Sequence, residues 1–236
     1  MIEIKKVSKT YNGEKKAINQ VSFDIKDGEI FAFIGHNGAG KTTMIKSLVG
    51  ILDFEEGDIV INHKSIKKDP IGCKLEMAYV PDNPDLYENM TAIDFINFVC
   101  DMYDIPVDVR KENIEKYSKM FEMESKLNDD ISSFSHGMKQ KIALIAALSH
   151  NPSVLVMDEP FVGLDPKAVF DMKTIMKEMA KEGKTIFFST HILDVAEKLC
   201  DRVAIIKNGN LVKIGKMKDI KGDSSLEEVF LELGEK

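Results

Sequence analysis

The sequence predicts an α/β fold with a mainly parallel sheet, an antiparallel β edge layer and an inserted helical subdomain. Four short apolar runs, residues 30–34, 77–80, 154–157 and 185–189, are bounded by turn residues or helical segments, as expected of parallel strands buried on both faces. Residues 2–7 and 21–25 instead alternate apolar and polar positions, with Asn12-Gly13 between them, which reads as half-buried strands with a turn signal. Between Pro81 and Asn151 the strand pattern disappears, and helical periodicity takes over in 92–102, 107–121 and 138–148.

The remaining elements follow from local signals. Residues 203–206, the pair Asn208-Gly209 and residues 211–214 form a hairpin pattern whose turn needs positive φ. A final helix is expected to begin near Ser224, because Ser224 and Glu227 have capping-box spacing and Leu226, Val229, Phe230 and Leu233 share one face. One domain of 236 residues is expected, with 1–81 and 152–236 as core and 82–151 as the helical subdomain.

Composition narrows the function classes. The net charge is -7, which leaves no basic footprint for nucleic acid. Of 32 basic residues only Arg110 and Arg202 are arginine, so phosphate chemistry must rely on lysine, backbone amides and metal rather than guanidinium clamps. Cys73, Cys100 and Cys200 are scattered and lack CxxC spacing, the pattern of buried thiols in a reducing cytosol. No run approaches the roughly 18 consecutive apolar residues needed to span a bilayer, and the first ten residues are unlike a signal peptide. A cytoplasmic chain is expected.

The segment Gly35-His36-Asn37-Gly38-Ala39-Gly40-Lys41-Thr42-Thr43 follows the apolar run 30–34 and precedes the helical pattern 44–52. It matches GxxxxGK[ST], for which a chance match in a chain of this composition has odds of roughly one in a hundred. Glycines let the backbone curl so that successive amides face phosphate oxygens, and the following helix adds its positive end. Lys41 would reach the β and γ phosphates and Thr42 would ligate Mg²⁺, which points to a P-loop NTPase core.

Residues 154–157 end in Asp158-Glu159-Pro160, which sets two adjacent carboxylates at the carboxyl edge of the sheet, the usual ligand crevice. Asp158 can hold Mg²⁺, directly or through water. Glu159 is then the candidate general base for the attacking water.

With the phosphate loop, the segment FSHGMKQK and the hhhhDEP strand in that order, essentially the whole chain resembles the nucleotide-binding domain of ABC ATPases. The C-terminal LEEVFLEL resembles endings of ATPase subunits of ABC-2-type exporters, although core packing explains its apolar face equally well. The resemblance implies a clamp at Ser135, His136, Gly137 and Met138 that closes on ATP held by the opposite subunit; Ser135 and Gly137 match the LSGGQ-like signature, whereas His136 and Met138 depart from it. His136 replaces a glycine, so its ring must point away from the phosphates. The resemblance further implies that Tyr11 stacks on adenine, Asp165 lies at the subunit boundary and His191 contacts the γ-phosphate. Read as isolated residues, each has a structural alternative: Tyr11 as a half-buried strand-end aromatic, Asp165 as a turn or helix cap and His191 as a capping or core histidine.

Asp82 stands where the family typically has Gln, sometimes Glu. It would bring a charge near Mg²⁺ and the γ-phosphate, so repulsion would weaken coupling between the helical subdomain and the nucleotide. The resemblance thus implies an ATP- and Mg²⁺-dependent motor that dimerises with a second copy or a related ATPase subunit. It would work under a transmembrane permease subunit, peripheral on the inner face of the cell membrane, in an exporter. Other readings are a soluble ABC ATPase of the cluster-assembly type and a regulatory module that binds nucleotide without hydrolysing it.

Overall fold

The computed structural model describes residues 1–11, 13 and 15–235; Asn12 of the expected turn lies outside them. The chain begins with β1 (Ile2–Tyr11), β2 (Lys15–Ile25), β3 (Ile30–Ile34) and α1 (Lys41–Leu48). It continues through β4 (Glu56–Ile61), β5 (Lys64–Ser65), α2 (Pro70–Leu75) and β6 (Met77–Val80). Helices α3 (Ala92–Met102), α4 (Val107–Met120) and α5 (His136–Ser149) then intervene before β7 (Val154–Asp158). The last part holds α6 (Pro166–Lys181), β8 (Thr185–Thr190), α7 (Leu193–Leu199), β9 (Arg202–Lys207), β10 (Asn210–Lys216), α8 (Met217–Lys221) and α9 (Leu226–Glu235).

Two sheets form. One has the order β10-β9-β3-β8-β7-β6, parallel except for the β9–β10 hairpin, and the other has the antiparallel order β2-β1-β4-β5. Strand β3 shows why the parallel sheet lies in the middle: all five of its residues are buried, and they alternate between faces. Phe31 and Phe33 point toward the antiparallel sheet and α1, where Phe31 stacks on Phe23 with centroids 5.3 Å apart. Ile30, Ala32 and Ile34 face the helical layer that includes α5, α6 and α7. Period-two side-chain alternation on a strand covered on both sides favours a near-continuous apolar run.

The antiparallel layer is larger than the sequence pattern suggests. Beyond Val7, β1 continues to Tyr11, but register shifts between Ile4 and Thr10 break the alternation, and Lys6 adopts φ 50°. Such bulges place extra residues in one strand and hide its period from sequence. Strand β4 escapes notice because it opens on the polar Glu56-Gly57-Asp58 and buries only Ile59 and Ile61.

The final helix corrects the expected cap by one residue. The reciprocal bonds run between Ser225 and Glu228: Ser225 N–H donates to Glu228 Oε2 at 3.0 Å and Glu228 N–H to Ser225 Oγ at 3.1 Å. Overlapping Ser-x-x-Glu pairs at 224 and 225 are equivalent in sequence. The choice is made by Glu197 on α7, whose carboxylate accepts from Leu226 N–H at 2.9 Å.

Where the two sheets meet, Glu76 collects Lys64 Nζ at 2.7 Å, Ser153 Oγ at 2.8 Å and Asn62 Nδ2 at 3.0 Å. These bonds, Lys64 first, hold its carboxyl down to about 2 from an ordinary 4.5. A depressed carboxylate contributes stability that is fully present above its unfolded pKa and lost as pH falls through the folded one. Glu76→Gln should therefore melt below wild type at neutral pH, and the gap should narrow as pH falls from 4.5 towards about 2. Thermal melts across that range check this, and a gap independent of pH would remove the ionic account.

Candidate functional site

The parallel strands deliver their carboxyl ends to one edge. There β3 leads into the phosphate loop, β7 into Glu159, β8 into His191 and β6 into Pro81-Asp82. This is the edge at which open α/β sheets bind ligands.

Gly40 precedes α1 with φ 112°, a left-handed conformation that favours glycine, and a Cβ there would lie 2.4 Å from the carbonyl oxygen of Ala17. A Cβ on Gly35 would lie 2.6 Å from the carbonyl oxygen of Ile206. Gly38 has φ 77° but open space around it, so there the backbone angle rather than a close approach calls for glycine. The loop is also stitched by Ala39 N–H donating to His36 O at 3.0 Å and by Gly209 N–H donating to Ala39 O at 2.9 Å. Gly35 and Ala39 are buried beneath the loop, whereas Asn37, Gly38 and Thr42 are exposed on it.

Lys41, only 7% exposed, donates to Gly35 O at 2.8 Å and lies 3.5 Å from Glu159 Oε1. Asp158 is buried, and its Oδ1 accepts from the Ser189 hydroxyl. Ser189 is its register partner on β8. Glu159 adopts φ 48°, uncommon outside glycine. It is held there by its own N–H, which donates to Ser189 O at 3.2 Å, and by His191, whose Nδ1 lies 3.0 Å from Glu159 Oε2. The phosphate loop, with Tyr11, Asp82 and Glu159, lines a cleft of about 420 Å³.

Asp82 is thus brought to the same cleft as Glu159. Burial pushes its carboxyl up first, and the negative charges of Asp158 and Glu159 push it further, while His136 and His191 act in the opposite sense. Tyr79, on the strand leading to Asp82, is also pushed up by burial and then by the charges of Asp158 and Asp82. Tyr11 is 48% exposed, with its hydroxyl 3.4 Å from Thr43 Oγ1.

Ser135 to Met138 do not line this cleft. Ser135 caps α5 by accepting from Met138 N–H at 3.3 Å, and both Ser135 and His136 are exposed. The His136 ring lies on Gly163: a Cβ added to that glycine would be 2.8 Å from His136 Cδ2. Asp165 caps α6 by accepting from Ala168 N–H at 2.9 Å, and it pairs with Lys141 Nζ at 2.6 Å. Lys141 holds its carboxyl below the usual range. The two arginines are remote from the loop, Arg110 on the Ile105 carbonyl and Asp101, Arg202 on Glu29.

Ser189 and Lys141 are parts of the arrangement that sequence reasoning missed. Each is identified only by what it touches, across a strand register or between two helices, and no motif spacing marks either.

A family profile described as ABC transporter matches residues 18–162. The chain belongs to this family. An ABC-type transporter ATP-binding protein, EcsA, from Bacillus subtilis is 34% identical over 221 residues, covering 92% of this chain and 90% of that protein. A solved ATP binding subunit of an ABC transporter superposes with TM-score 0.95 at 33% identity and covers 99% of both chains. The dimeric ATP-binding cassette MJ0796, in a post-hydrolysis state bound to ADP and Pi, superposes with TM-score 0.84 at 25% identity, covering 92% of this chain and 99% of that one. The protein is an ABC ATPase, an ATP-binding subunit built on the P-loop fold. Among its described residues no helix is long and apolar enough to cross a membrane.

In this ABC ATPase, Gly40→Ala meets both a backbone oxygen and an unfavourable φ, so ADP binding should weaken by about tenfold or more. Gly38→Ala meets only the backbone strain of about 1 kcal/mol and should retain most of its affinity. Calorimetric ADP titration of the two variants checks the difference, and equal losses would contradict the close approach at Ala17.

Proposed function

We propose that this subunit is the hydrolytic motor of an exporter, with Glu159 as the general base. The observation that carries the reading is the position of Glu159 between Lys41 and His191 at the mouth of the phosphate-loop cleft. A carboxylate that is not the metal-side Asp158, with a histidine on one oxygen and the loop lysine beside the other, is placed to orient and deprotonate water beside a γ-phosphate. Lys41 would exchange its contact with Glu159 for the β and γ phosphates. This frees the carboxylate to act while His191 keeps it oriented.

The loop amides from Gly35 through Thr43, Asn37, Gly38 and Ala39 included, would cradle the phosphates, and Tyr11 would stack on adenine. Thr42 and Asp158 offer the hard oxygen ligands that Mg²⁺ prefers, with Asp82 as a further carboxylate nearby. When bound, Mg²⁺ would neutralise charge on the transferred phosphoryl group.

Ser135, His136, Gly137 and Met138 present an exposed helix N-terminus that suits an anion held by a facing subunit. Two copies, or this chain and a related ATPase subunit, would sandwich two ATP·Mg²⁺, with Asp165 near the boundary. Hydrolysis would reopen the pair. Residues 1–81 and 152–236 would act as the catalytic core and 82–151 as a lever. The loop around Asp82 would pass the motion to a transmembrane permease subunit, which would hold the motor at the cytoplasmic face of the membrane. The C-terminal resemblance to exporter subunits supports the direction of transport.

Glu159→Gln should lower phosphate release by about a hundredfold or more while ATP-dependent dimers accumulate. Phosphate release and size-exclusion chromatography measure the two effects, and normal hydrolysis by the variant would exclude Glu159 as the base. Asp82→Gln removes one of three carboxylates crowded around the cleft, so basal turnover should rise. Equal basal rates in the natural chain and the variant would show that the charge of Asp82 does not limit it.

A further inference from the structure

We propose that Phe230 of α9 is a positioning residue for the phosphate loop, acting through the ring of His36. The two rings lie with centroids 4.5 Å apart at an interplanar angle of 49°, within the range of favourable aromatic contact.

His36 is well placed to pass a restraint on. Its carbonyl accepts from Ala39 N–H and so closes the turn that carries the exposed tip, and His36 is one of the residues that line the cleft. Beneath the loop, the close approaches at Gly35 and Gly40 fix the two ends. The tip between them receives its lateral support from the ring contact.

Helix α9 is itself held at both ends, so it can serve as a fixed post. At its start, Glu197 of α7 accepts from Leu226 N–H at 2.9 Å and pairs with Lys221 at 2.7 Å. Toward its end, Lys207 Nζ donates to the Leu233 carbonyl at 3.0 Å. Leu226 and Val229 are buried in the helical layer, while Phe230 is only partly buried and meets the loop. Phe230 also packs against that layer, but it adds a contact that Leu226 and Val229 are not seen to make, the His36 ring. Because α7 begins two residues after His191, α9 touches both the phosphate loop and the element behind the histidine that contacts Glu159. The apolar face that core packing explains thus carries one ring with a second task.

The proposal rests on the phosphate loop being the nucleotide site, and Lys41→Ala tests that reading separately: retained ADP binding there would overturn the site itself, whatever Phe230 does. For Phe230, the purified chain is titrated with ADP and Mg²⁺, and the nucleotide-free melting temperature and the ATPase KM and kcat are recorded. Phe230→Leu keeps apolar volume without the ring, and Phe230→Tyr keeps the ring. Phe230→Leu and His36→Ala should each weaken ADP binding by about three- to tenfold, the scale of one aromatic contact. The double variant should be no weaker than either alone, since both remove the same contact. KM for ATP should rise with kcat little changed, and Phe230→Tyr should restore affinity. The proposal is overturned if Phe230→Leu lowers only the melting temperature, or if the two losses multiply. If Phe230→Leu does not fold, His36→Ala and Phe230→Tyr carry the test: normal ADP affinity in His36→Ala, or the full loss in Phe230→Tyr, would overturn it.

Discussion

The phosphate loop rests on backbone from two other strands, at separations that leave no room for a β-carbon at Gly35 or Gly40. Most of the site's geometry depends on that approach. It sets the loop between the ends of β9 and β2, lets Gly209 bond to Ala39, and turns Lys41 back onto the Gly35 carbonyl. The approach in turn depends on β3 being buried on both faces, because only a strand clamped between the antiparallel layer and the helices delivers Gly35 to a fixed point. Close packing transmits position, since displacement at one end must be accommodated by neighbours with no free volume.

Charge organises the remainder. Asp82, Asp158 and Glu159 converge near one lysine, and the upward push on Asp82 records their mutual repulsion on top of its burial. Ser189 on β8 and His191 just after it counter this crowding, the first by donating to Asp158 and the second by lying against Glu159. The left-handed backbone at Glu159 is sustained by the same contacts. Strain of this kind persists where the surroundings over-determine it. Helix α5 is joined to the segment after Glu159 through His136 on Gly163 and Lys141 on Asp165. Within one chain, the exposed helix start and the acidic loop are therefore mechanically connected.

The buried parallel strands were legible because a strand covered on both sides is largely apolar, and runs 30–34 and 77–80 coincide with β3 and β6. The phosphate loop was legible because its chemistry demands glycine, lysine and threonine at set spacings. Strand β4 was not, since half of it is polar, and the bulges in β1 erase the period that identifies strands. The choice of Ser225 over Ser224 as cap was equally hidden, because it goes with the bond from Leu226 N–H to the Glu197 carboxylate, 29 residues from Leu226.

By itself the sequence singled out the residues proposed to carry the chemistry: Lys41 and its glycines, the Asp158-Glu159 pair, the Ser135 segment, and an aspartate at position 82. Those are matters of side-chain type and local spacing, to which a linear pattern is sensitive. Only the tertiary structure decided that Ser189 restrains Asp158, that Lys141 pairs with Asp165 and that Phe230, near one end of the sequence, meets His36, near the other. Such contacts arise from strand register and helix docking, which the packing of the whole core sets and no short segment encodes.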